Sequence, residues 1–368
     1  MRRRYEILTS NRFEIGPGMA HSNWNLKRLS AHLGLSQTTV SRALNGFPEV
    51  SEQTRARVVE AARLHNYRPS PAAAGLATGK SRIIGHVLPI GAYSMIDPHF
   101  SDFAAGASEA YSQAGYDMLI RVVPPEQEEQ VYRELASTNR VDGVVIHGPR
   151  VDDPRIPLLA AIGLPFVVHG RSDAVTSSYS WLDVNNRRAF RRATDFLIDL
   201  GHRRIGLVNG MEALNFAARR RRGYEEGLAA RGIGADPALM FSHDMSEPYG
   251  YRATRRMLEL AEPPSAILYA SILPAIGGLR ALGEAGLKPG RDVSMIAYDD
   301  ELSFLQHSEG RIGIPFFTSL RSSIRAAGRE VGEMLIGRIA SPLAATESRL
   351  WEAEFVIGQT TGPRRADP

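Results

Sequence analysis

Hydrophobic and polar positions follow two different patterns along the chain. Between residues 25 and 66, apolar residues recur every three or four positions within short segments, as in small amphipathic helices. From about Arg82 onward, short runs that are apolar on both faces alternate with longer helical patterns. Alternating strands and helices predict doubly wound parallel sheets. Because this part of the chain has too many such units for one sheet, we predict two lobes.

The predicted strands of these lobes are four to six residues long: 83–88, 117–122, 143–146, 166–169, 204–208, 266–269 and 294–297. The helical patterns between them include residues 101–114, 127–137, 189–200 and 219–231. Glycine often ends a helix, because its backbone adopts the left-handed conformation of a C-cap without strain. We expect this role for Gly115, Gly201, Gly232 and Gly286.

Residues 25–45, NLKRLSAHLGLSQTTVSRALN, have the pattern of a helix-turn-helix. One apolar face is formed by leucines at helical spacing: Leu26, Leu29 and Leu33. Gly34 permits the sharp turn, and Ser36 is a suitable N-cap for a second helix. A third helix is predicted at about 52–65. The sequence therefore predicts a small all-α head.

The outward face of the second helix carries side chains suited to DNA. Its polar residues are Gln37, Thr38, Ser41 and Arg42. Gln can bond to adenine and Arg to guanine with two hydrogen bonds each, and Thr can contact a thymine methyl group. In this motif the N-terminal residues of the second helix enter the major groove. The alternative is an ordinary three-helix bundle with a polar surface.

Charge is distributed unevenly between the two patterns. Residues 1–80 hold 12 Lys and Arg against 5 Asp and Glu, so the rest of the chain carries −3 of the overall +4. A basic head on a mildly acidic body is typical of a phosphate-binding module attached to a sensor, although a solvated basic tail would look the same. With 368 residues, of which 43% are hydrophobic, we expect two or three globular domains.

Several classes of protein are disfavoured by what the sequence lacks. There is no cysteine, so disulfides, thiolate–metal sites and cysteine nucleophiles are excluded. No apolar run reaches the roughly 18 residues of a membrane span, and the N-terminus has no apolar signal-peptide core. We therefore expect a cytoplasmic location and no membrane contact.

Enzymatic motifs are also missing from the sequence. It contains no Gly-x-Ser-x-Gly elbow, no P-loop, no dinucleotide-binding glycine pattern after a strand, and no His-x-x-x-His pair. We expect no catalytic residues, no cofactor and no metal.

The chain resembles the LacI/GalR family of bacterial repressors over residues 25–361. The head and hinge match in GLSQTTVSRALNG and VSEQTRARVVEAARLHNYRPSPAAAGLATGKS. The body matches in VDGVVIHGP, LPFVVHGR, LGHRRIGLVNG, RRRGYEEGLAARG and DVSMIAYDD. The resemblance implies a transcriptional regulator, expected to be a repressor of carbohydrate-utilisation genes, whose operator affinity a small sugar controls. Two heads and paired hinges predict a pseudo-palindromic double-stranded operator. Dimer and tetramer both fit, and we expect a homodimer because no heptad run follows Thr361.

That resemblance implies a domain organisation as well. A helix-turn-helix domain would span 24–66, a hinge helix and linker 67–81, and a two-lobed sensor like the periplasmic sugar-binding proteins 82–361. We expect the first lobe at 82–185 and 318–345, and the second at 186–317 and 346–361. Residues 1–23 lie outside the family pattern, either as a disordered extension or because the natural start is Met19.

The family's DNA contacts match particular positions of this chain. Gln37, Thr38 and Arg42 fall at base-reading positions. Thr39, Ser41 and Asn45 fall where phosphate contacts or helix caps are made. In the hinge, framed by Pro69 and Pro71, Leu76 matches the leucine that enters the minor groove, where an apolar wedge bends the duplex. Gly75 beside it departs from the family and weakens the hinge helix.

The family's effector-binding arginine and aspartate match Arg220 and Asp299. Each position also fits a ligand site physically, because ligands of such sheets bind outside the carboxyl ends of the strands. His169 and Arg171 are weaker candidates, and a surface ion pair or helix cap is the alternative for each of the four. Ala270-Ser271-Ile272 departs from the Ala-Asn-Asp of many members, so the effector chemistry differs there.

Three sequence segments of the body, EPYGY, RSSIRAAGR and VHGR, are most similar to regulators of α-glucoside utilisation. A sugar-binding protein of the same fold that does not bind DNA is the alternative function. The head at 25–66 and the missing signal peptide disfavour it.

Overall fold

The computed structural model describes residues 24–67, 79–90, 98–299, 301–302 and 314–365. The chain divides into two compact units, Met1–Ser81 and Arg82–Pro368. The predictions for residues 1–23 and for Pro69, Pro71, Gly75 and Leu76 lie outside the described residues.

Three short helices form the described part of the first unit: α1 (Leu26–Leu33), α2 (Gln37–Leu44) and α3 (Glu52–Leu64). Each begins at a polar N-cap whose side chain accepts a backbone N–H bond, as Ser36 does from Thr39 N at 3.0 Å. Gly34 turns the chain between α1 and α2 with φ of 63°. The buried core shared by the three helices contains Leu29, Val40, Ala43, Val50, Val58, Ala61 and Ala62. The predicted helix-turn-helix head is confirmed.

The second unit contains two six-stranded sheets, one for each lobe. The first sheet has the order β11-β5-β4-β3-β1-β2, with β1 (Ile83–Pro89), β2 (Asp117–Val123), β3 (Gly143–His147), β4 (Phe166–His169), β5 (Trp181–Val184) and β11 (Ser348–Trp351). The second has the order β12-β10-β9-β8-β6-β7, with β6 (Ile205–Asn209), β7 (Met240–Ser242), β8 (Ala266–Tyr269), β9 (Ser294–Asp299), β10 (Thr318–Arg321) and β12 (Glu354–Val356). Only β12 pairs antiparallel among the described strands. The predicted pair of parallel sheets is confirmed.

Eight described α-helices cover these sheets: α4 (Pro98–Gln113), α5 (Glu128–Ser137), α6 (Arg155–Ile162), α7 (Asn186–Asp199), α8 (Asn215–Ala229), α9 (Glu247–Leu258), α10 (Ile272–Glu284) and α11 (Ile324–Ala340). Short 3-10 turns lie at Pro125–Gln127 and Pro237–Leu239. All four glycines expected at helix ends have positive φ, between 68° and 93°. Apolar cores lie on both faces of each sheet, as expected where helices cover both faces.

The lobe boundaries near the C-terminus differ from the prediction. β10 pairs with β9 in the second sheet, although residues 318–345 were expected in the first lobe. β11 pairs with β5 in the first sheet, although residues 346–361 were expected in the second. The chain thus passes between the lobes after β5, after β10 and after β11. The burial of β11 explains the error, because three of its four residues are exposed and it has no apolar run to assign it.

Candidate DNA-binding surface and interlobe cleft

The outward face of α2 carries the predicted base-reading residues. Gln37, Thr38 and Arg42 are exposed. None of their side chains is hydrogen-bonded to a described residue, so these side chains remain available to an external partner. The core residues Val40 and Ala43 hold the opposite face of α2 against α1 and α3.

The other three predicted residues of this helix take part in its caps. Thr39 Oγ1 lies 2.8 Å from Ser36 Oγ, at the N-cap. Asn45 Nδ2 donates to Ser41 O at 2.9 Å and lies 3.4 Å from Ser41 Oγ, at the C-terminal end. These bonds fix both ends of α2 and therefore the direction of its exposed side chains.

Segments that follow the carboxyl ends of strands in both sheets contact each other, and the region between the lobes at these ends is called the interlobe cleft. Asn215, at the start of α8 in the second lobe, donates twice to the first lobe: its N to Pro149 O at 2.9 Å, and its Nδ2 to Arg171 O at 2.5 Å. Near these bonds, Asp173 of the first lobe is paired with Arg219 and with Arg222 of α8, the latter at 3.0 Å. A further contact joins His99 Nε2 of α4 to Ser271 Oγ at 3.1 Å. Segments that follow β3 and β4 therefore contact the start of α8.

Arg220 is buried on α8, with 5% of its surface exposed. Its Nε donates to Asn186 Oδ1 at 2.7 Å, and one terminal nitrogen donates to Ala270 O, directly after β8. The guanidinium lies over the rings of three aromatic residues, with centroid distances of 3.9 Å to Tyr298, 4.9 Å to Phe216 and 5.3 Å to Phe190. Cation–π contacts of this kind are strongest where water is excluded. The charge is therefore held in one orientation at the carboxyl end of the second sheet.

Asp299 is the last residue of β9 and is 2% exposed. Its Oδ2 lies 3.3 Å from Arg321 Nε, and its Oδ1 accepts from Glu301 N at 2.9 Å. Because Tyr298 stacks on Arg220 and precedes Asp299, both predicted residues lie at the same edge of the second sheet.

His169 and Arg171 lie on the first-lobe side of the cleft. His169 ends β4, and its ring centroid is 4.6 Å from that of Phe103. Arg171 Nε donates to Asp183 Oδ2 at 2.8 Å, and the guanidinium lies 5.1 Å from the Trp181 ring. Burial raises the pKa of Asp183, although the neighbouring Arg171 opposes that shift. The guanidinium of Arg171 is thus engaged within its own lobe, while its carbonyl oxygen contacts the other.

Comparison with known proteins identifies the family. Residues 31–70 match the family described as bacterial regulatory proteins, lacI family, and residues 194–361 match a periplasmic binding protein-like domain. The HTH-type transcriptional regulator AglR of Rhizobium meliloti (strain 1021) is 46% identical over 339 residues, which are 92% of this chain and 94% of AglR. The chain belongs to the lacI family. It is a DNA-binding transcriptional regulator, and the prediction that it is not an enzyme is confirmed by the family.

Other members of the lacI family align over almost the same length. The HTH-type transcriptional regulator CelR of Thermobifida fusca is 30% identical over 91% of this chain and 97% of its own. A solved CelR–cellobiose complex has 27% identity and a TM-score of 0.67. The Lac repressor dimer bound to operator and the anti-inducer ONPF has 27% identity and a TM-score of 0.78, and it covers 92% of this chain.

Some residues at the cleft of this lacI-family chain were not predicted. His86, His147 and Tyr111 form a hydrogen-bonded chain in the first lobe, and His99 contacts Ser271 across the cleft. A signal was present for His147, because it directly follows a predicted strand, as His169 ends another. The pairing of His86 with His147 joins residues 61 positions apart, which no local pattern indicates.

Two absences concern the described residues alone. Within them, no cluster of three or more His, Cys, Asp or Glu side chains is arranged to hold a metal ion. None of the described helices combines the length and apolar character needed to span a membrane.

Proposed function

We propose that this lacI-family regulator binds a pseudo-palindromic operator as a homodimer, and that an uncharged α-glucoside in the interlobe cleft changes its operator affinity. The observation that carries the proposal is the exposed face of α2. There, Gln37, Thr38 and Arg42 project from a helix that is capped at both ends and packed on its opposite face. A side chain that is positioned before binding loses less entropy when it meets a base edge.

In this proposal the domains have separate tasks. Residues 24–66 bind the major groove, 67–81 form the hinge with Leu76 as a minor-groove wedge, and 82–361 bind the effector and dimerise. Thr39, Ser41 and Asn45 support α2 through its caps and leave their backbone groups near the phosphates. Such a regulator acts where the operator DNA is, in the cytoplasm.

Arg220 and Asp299 are proposed to hold the sugar from the second lobe. Both are buried charges at the carboxyl ends of parallel strands, where ligands of such sheets bind. Charged groups of this kind form strong hydrogen bonds to hydroxyl groups. His169, at the end of β4, is proposed to contribute from the first lobe. Arg171 is proposed to position its loop, because its carbonyl oxygen accepts from Asn215 Nδ2. The sequence identity to AglR and the sequences of residues 168–171, 247–251 and 321–329 support an α-glucoside as the effector.

Relatives with solved ligands support the class of effector. The CelR structure contains cellobiose, and a Lac repressor structure contains the anti-inducer ONPF. Ser271, which bonds to His99, departs from the residue that many family members have at this position. We therefore expect an effector that differs from both cellobiose and ONPF.

A gel shift on the promoter region of the chain's own gene tests this function. We expect a dimer on the DNA, and an affinity whose logarithm falls linearly with the logarithm of salt concentration, since several phosphates are contacted. Adding maltose, sucrose or trehalose should change the shift, whereas cellobiose serves as the β-linked control. Binding as a stable monomer, or with no salt dependence, would contradict the DNA-binding half of the proposal.

A further inference from the structure

Three histidines lie on neighbouring strands of the first sheet. His86 is inside β1, His147 ends β3 and His169 ends β4. His147 and His169 are register partners in the β3–β4 pair, and their ring centroids are 6.2 Å apart. The backbone just after His147 contacts the second lobe through Pro149 O and Asn215 N. His147 is half-buried at the end of β3, two residues before this interlobe contact, whereas His86 is fully buried inside β1.

A continuous chain of hydrogen bonds leads to His147 from the interior of the lobe. Tyr111 Oη lies 3.1 Å from His86 Nε2, and His86 Nδ1 lies 2.9 Å from His147 Nε2. Tyr111 is 1% exposed and His86 is 0% exposed. Phe103 contacts the His147 ring edge-on, with centroids 4.8 Å apart, and limits its rotation.

Both imidazole rings are neutral at ordinary pH. Burial lowers the pKa of His86 to about 3, and burial together with the neighbouring His86, His169 and Arg155 holds the pKa of His147 well below its usual range. A neutral imidazole has one N–H donor and one acceptor nitrogen, so each ring of the pair must donate from one nitrogen and accept at the other.

The tyrosine decides which nitrogen carries each proton. Burial raises the pKa of Tyr111, so its hydroxyl keeps its proton. A buried O–H requires an acceptor, and among the described residues His86 Nε2 is the acceptor within reach. His86 then carries its proton on Nδ1 and donates it to His147 Nε2. His147 in turn carries its proton on Nδ1, and no described residue accepts from that atom.

We infer that His147 is an effector-binding residue that donates its Nδ1–H to a hydroxyl or acetal oxygen of an uncharged sugar, and that Tyr111 and His86 are positioning residues that set its tautomer. The inference rests on the proposed function, because it places the sugar in the interlobe cleft. A neutral donor suits an uncharged oxygen, whereas an imidazolium at this position would favour a phosphate or carboxylate. The neutral ring of His147 thus favours neutral sugars over sugar phosphates.

A matched pair of substitutions at one position tests the donor. The amide nitrogen in His147→Asn occupies about the place of Nδ1, whereas in His147→Gln it occupies about the place of Nε2. In calorimetry with maltose, sucrose and trehalose, we expect His147→Asn to bind within about threefold of wild type. We expect His147→Gln to bind roughly tenfold more weakly, the factor that corresponds to the upper range for one neutral hydrogen bond. We expect the wild type and both His147 variants to bind glucose 6-phosphate only weakly.

A second pair of variants tests the positioning role. Tyr111→Phe removes the hydroxyl that sets the tautomer, so we expect it to weaken sugar binding by several-fold. Tyr132→Phe is the control, because Tyr132 is also fully buried in the first lobe but its hydroxyl has no hydrogen bond to any described histidine. It should leave sugar affinity unchanged.

The tautomers can be observed without any sugar. Long-range nitrogen–proton spectra of the full chain labelled with 15N-histidine should show protonated Nδ1 and bare Nε2 for His86 and His147, and a mixture of tautomers in Tyr111→Phe. A protonated Nε2 on His147 in the wild type would overturn the inference. So would equal sugar affinity of wild type and His147→Gln, which would leave the proposed function intact. A wild type with these tautomers that binds none of the three sugars would instead overturn the proposed function, and the inference with it.

Discussion

The guanidinium of Arg220 lies 3.9 Å from the ring centroid of Tyr298, the residue that precedes Asp299 at the end of β9. Asn186 and the carbonyl of Ala270 hold the same guanidinium from two other segments. The position of the charge is thus set before any ligand arrives, which lowers the entropic cost of binding. The fold brings α7, α8, β8 and β9 together at this one point.

Sequence readout by the head depends on Arg42. We expect Arg42→Ala to lose roughly 1–3 kcal/mol on the preferred operator and to relax specificity at one base position. Arg63→Ala is the control, since Arg63 is an exposed arginine of the same head that pairs with Glu60. It should leave the sequence preference unchanged. Competition gel shifts against single-base operator variants measure both, and an unchanged preference in Arg42→Ala would show that α2 is not the reading helix.

Close packing of α4 on α11 depends on Gly328, where a Cβ would collide with the carbonyl of Phe103. We expect Gly328→Ala to lower the free energy of unfolding by about 1–3 kcal/mol. Gly337 is on the same helix and has open space around its Cα, so Gly337→Ala should raise it by about 0.5–1 kcal/mol through helix propensity alone. Urea denaturation distinguishes the two, and a change of the same sign in both variants would contradict this packing.

Acid should destabilise the first lobe through the buried histidine pair. Burial lowers the pKa of His86 from 6.5 to about 3, so below pH 6.5 the unfolded chain binds a proton that the folded chain excludes. The free energy of unfolding that His86 contributes is present above pH 6.5. It is lost as the pH falls toward 3, by up to about 1.4 kcal/mol per pH unit. The pKa of His147 is lowered as well, so this residue contributes to the pH dependence in the same direction.

Urea denaturation of wild type and His86→Gln at pH 7.5 and 5.5 checks this dependence. We expect the wild type to lose more stability than the variant, by about 1 kcal/mol, between the two pH values. Equal losses would mean that His86 is protonated in the folded chain.

Local patterns predicted the head and most of the body strands. Strands β4 and β8 lie at the predicted residues, because each is a short apolar run buried on both sides. The edge strands β7, β11 and β12 were not predicted, since each is partly exposed and no more than four residues long. The interior strands β5 and β10 were not predicted either, because each has only four residues and mixes polar with apolar side chains. With no strand predicted at β10, its residues were assigned to the wrong lobe.

The candidate site was predictable where a residue follows a strand directly. Asp299 could be placed because the predicted strand at 294–297 precedes it, and Arg220 could be placed from the family motif. The partners of these residues could not be predicted, because Asn186, Ala270 and Tyr298 reach Arg220 from three distant segments. Likewise, the ion pair of Arg171 with Asp183 depends on the pairing of β4 with β5, and β5 has only four residues.

Operator affinity with and without sugar, for wild type and Arg220→Ala, tests the central claim most directly. Fluorescence anisotropy of a labelled operator should give a wild-type dissociation constant that changes with saturating α-glucoside by about 5- to 150-fold, the usual range for allosteric coupling. Arg220→Ala should bind the operator like wild type without sugar and should not respond to sugar. Arg231→Ala should respond normally, because Arg231 is exposed and lies two residues after the end of α8. A wild-type operator affinity that is the same with and without every α-glucoside tested, or a full response in Arg220→Ala, would contradict the account.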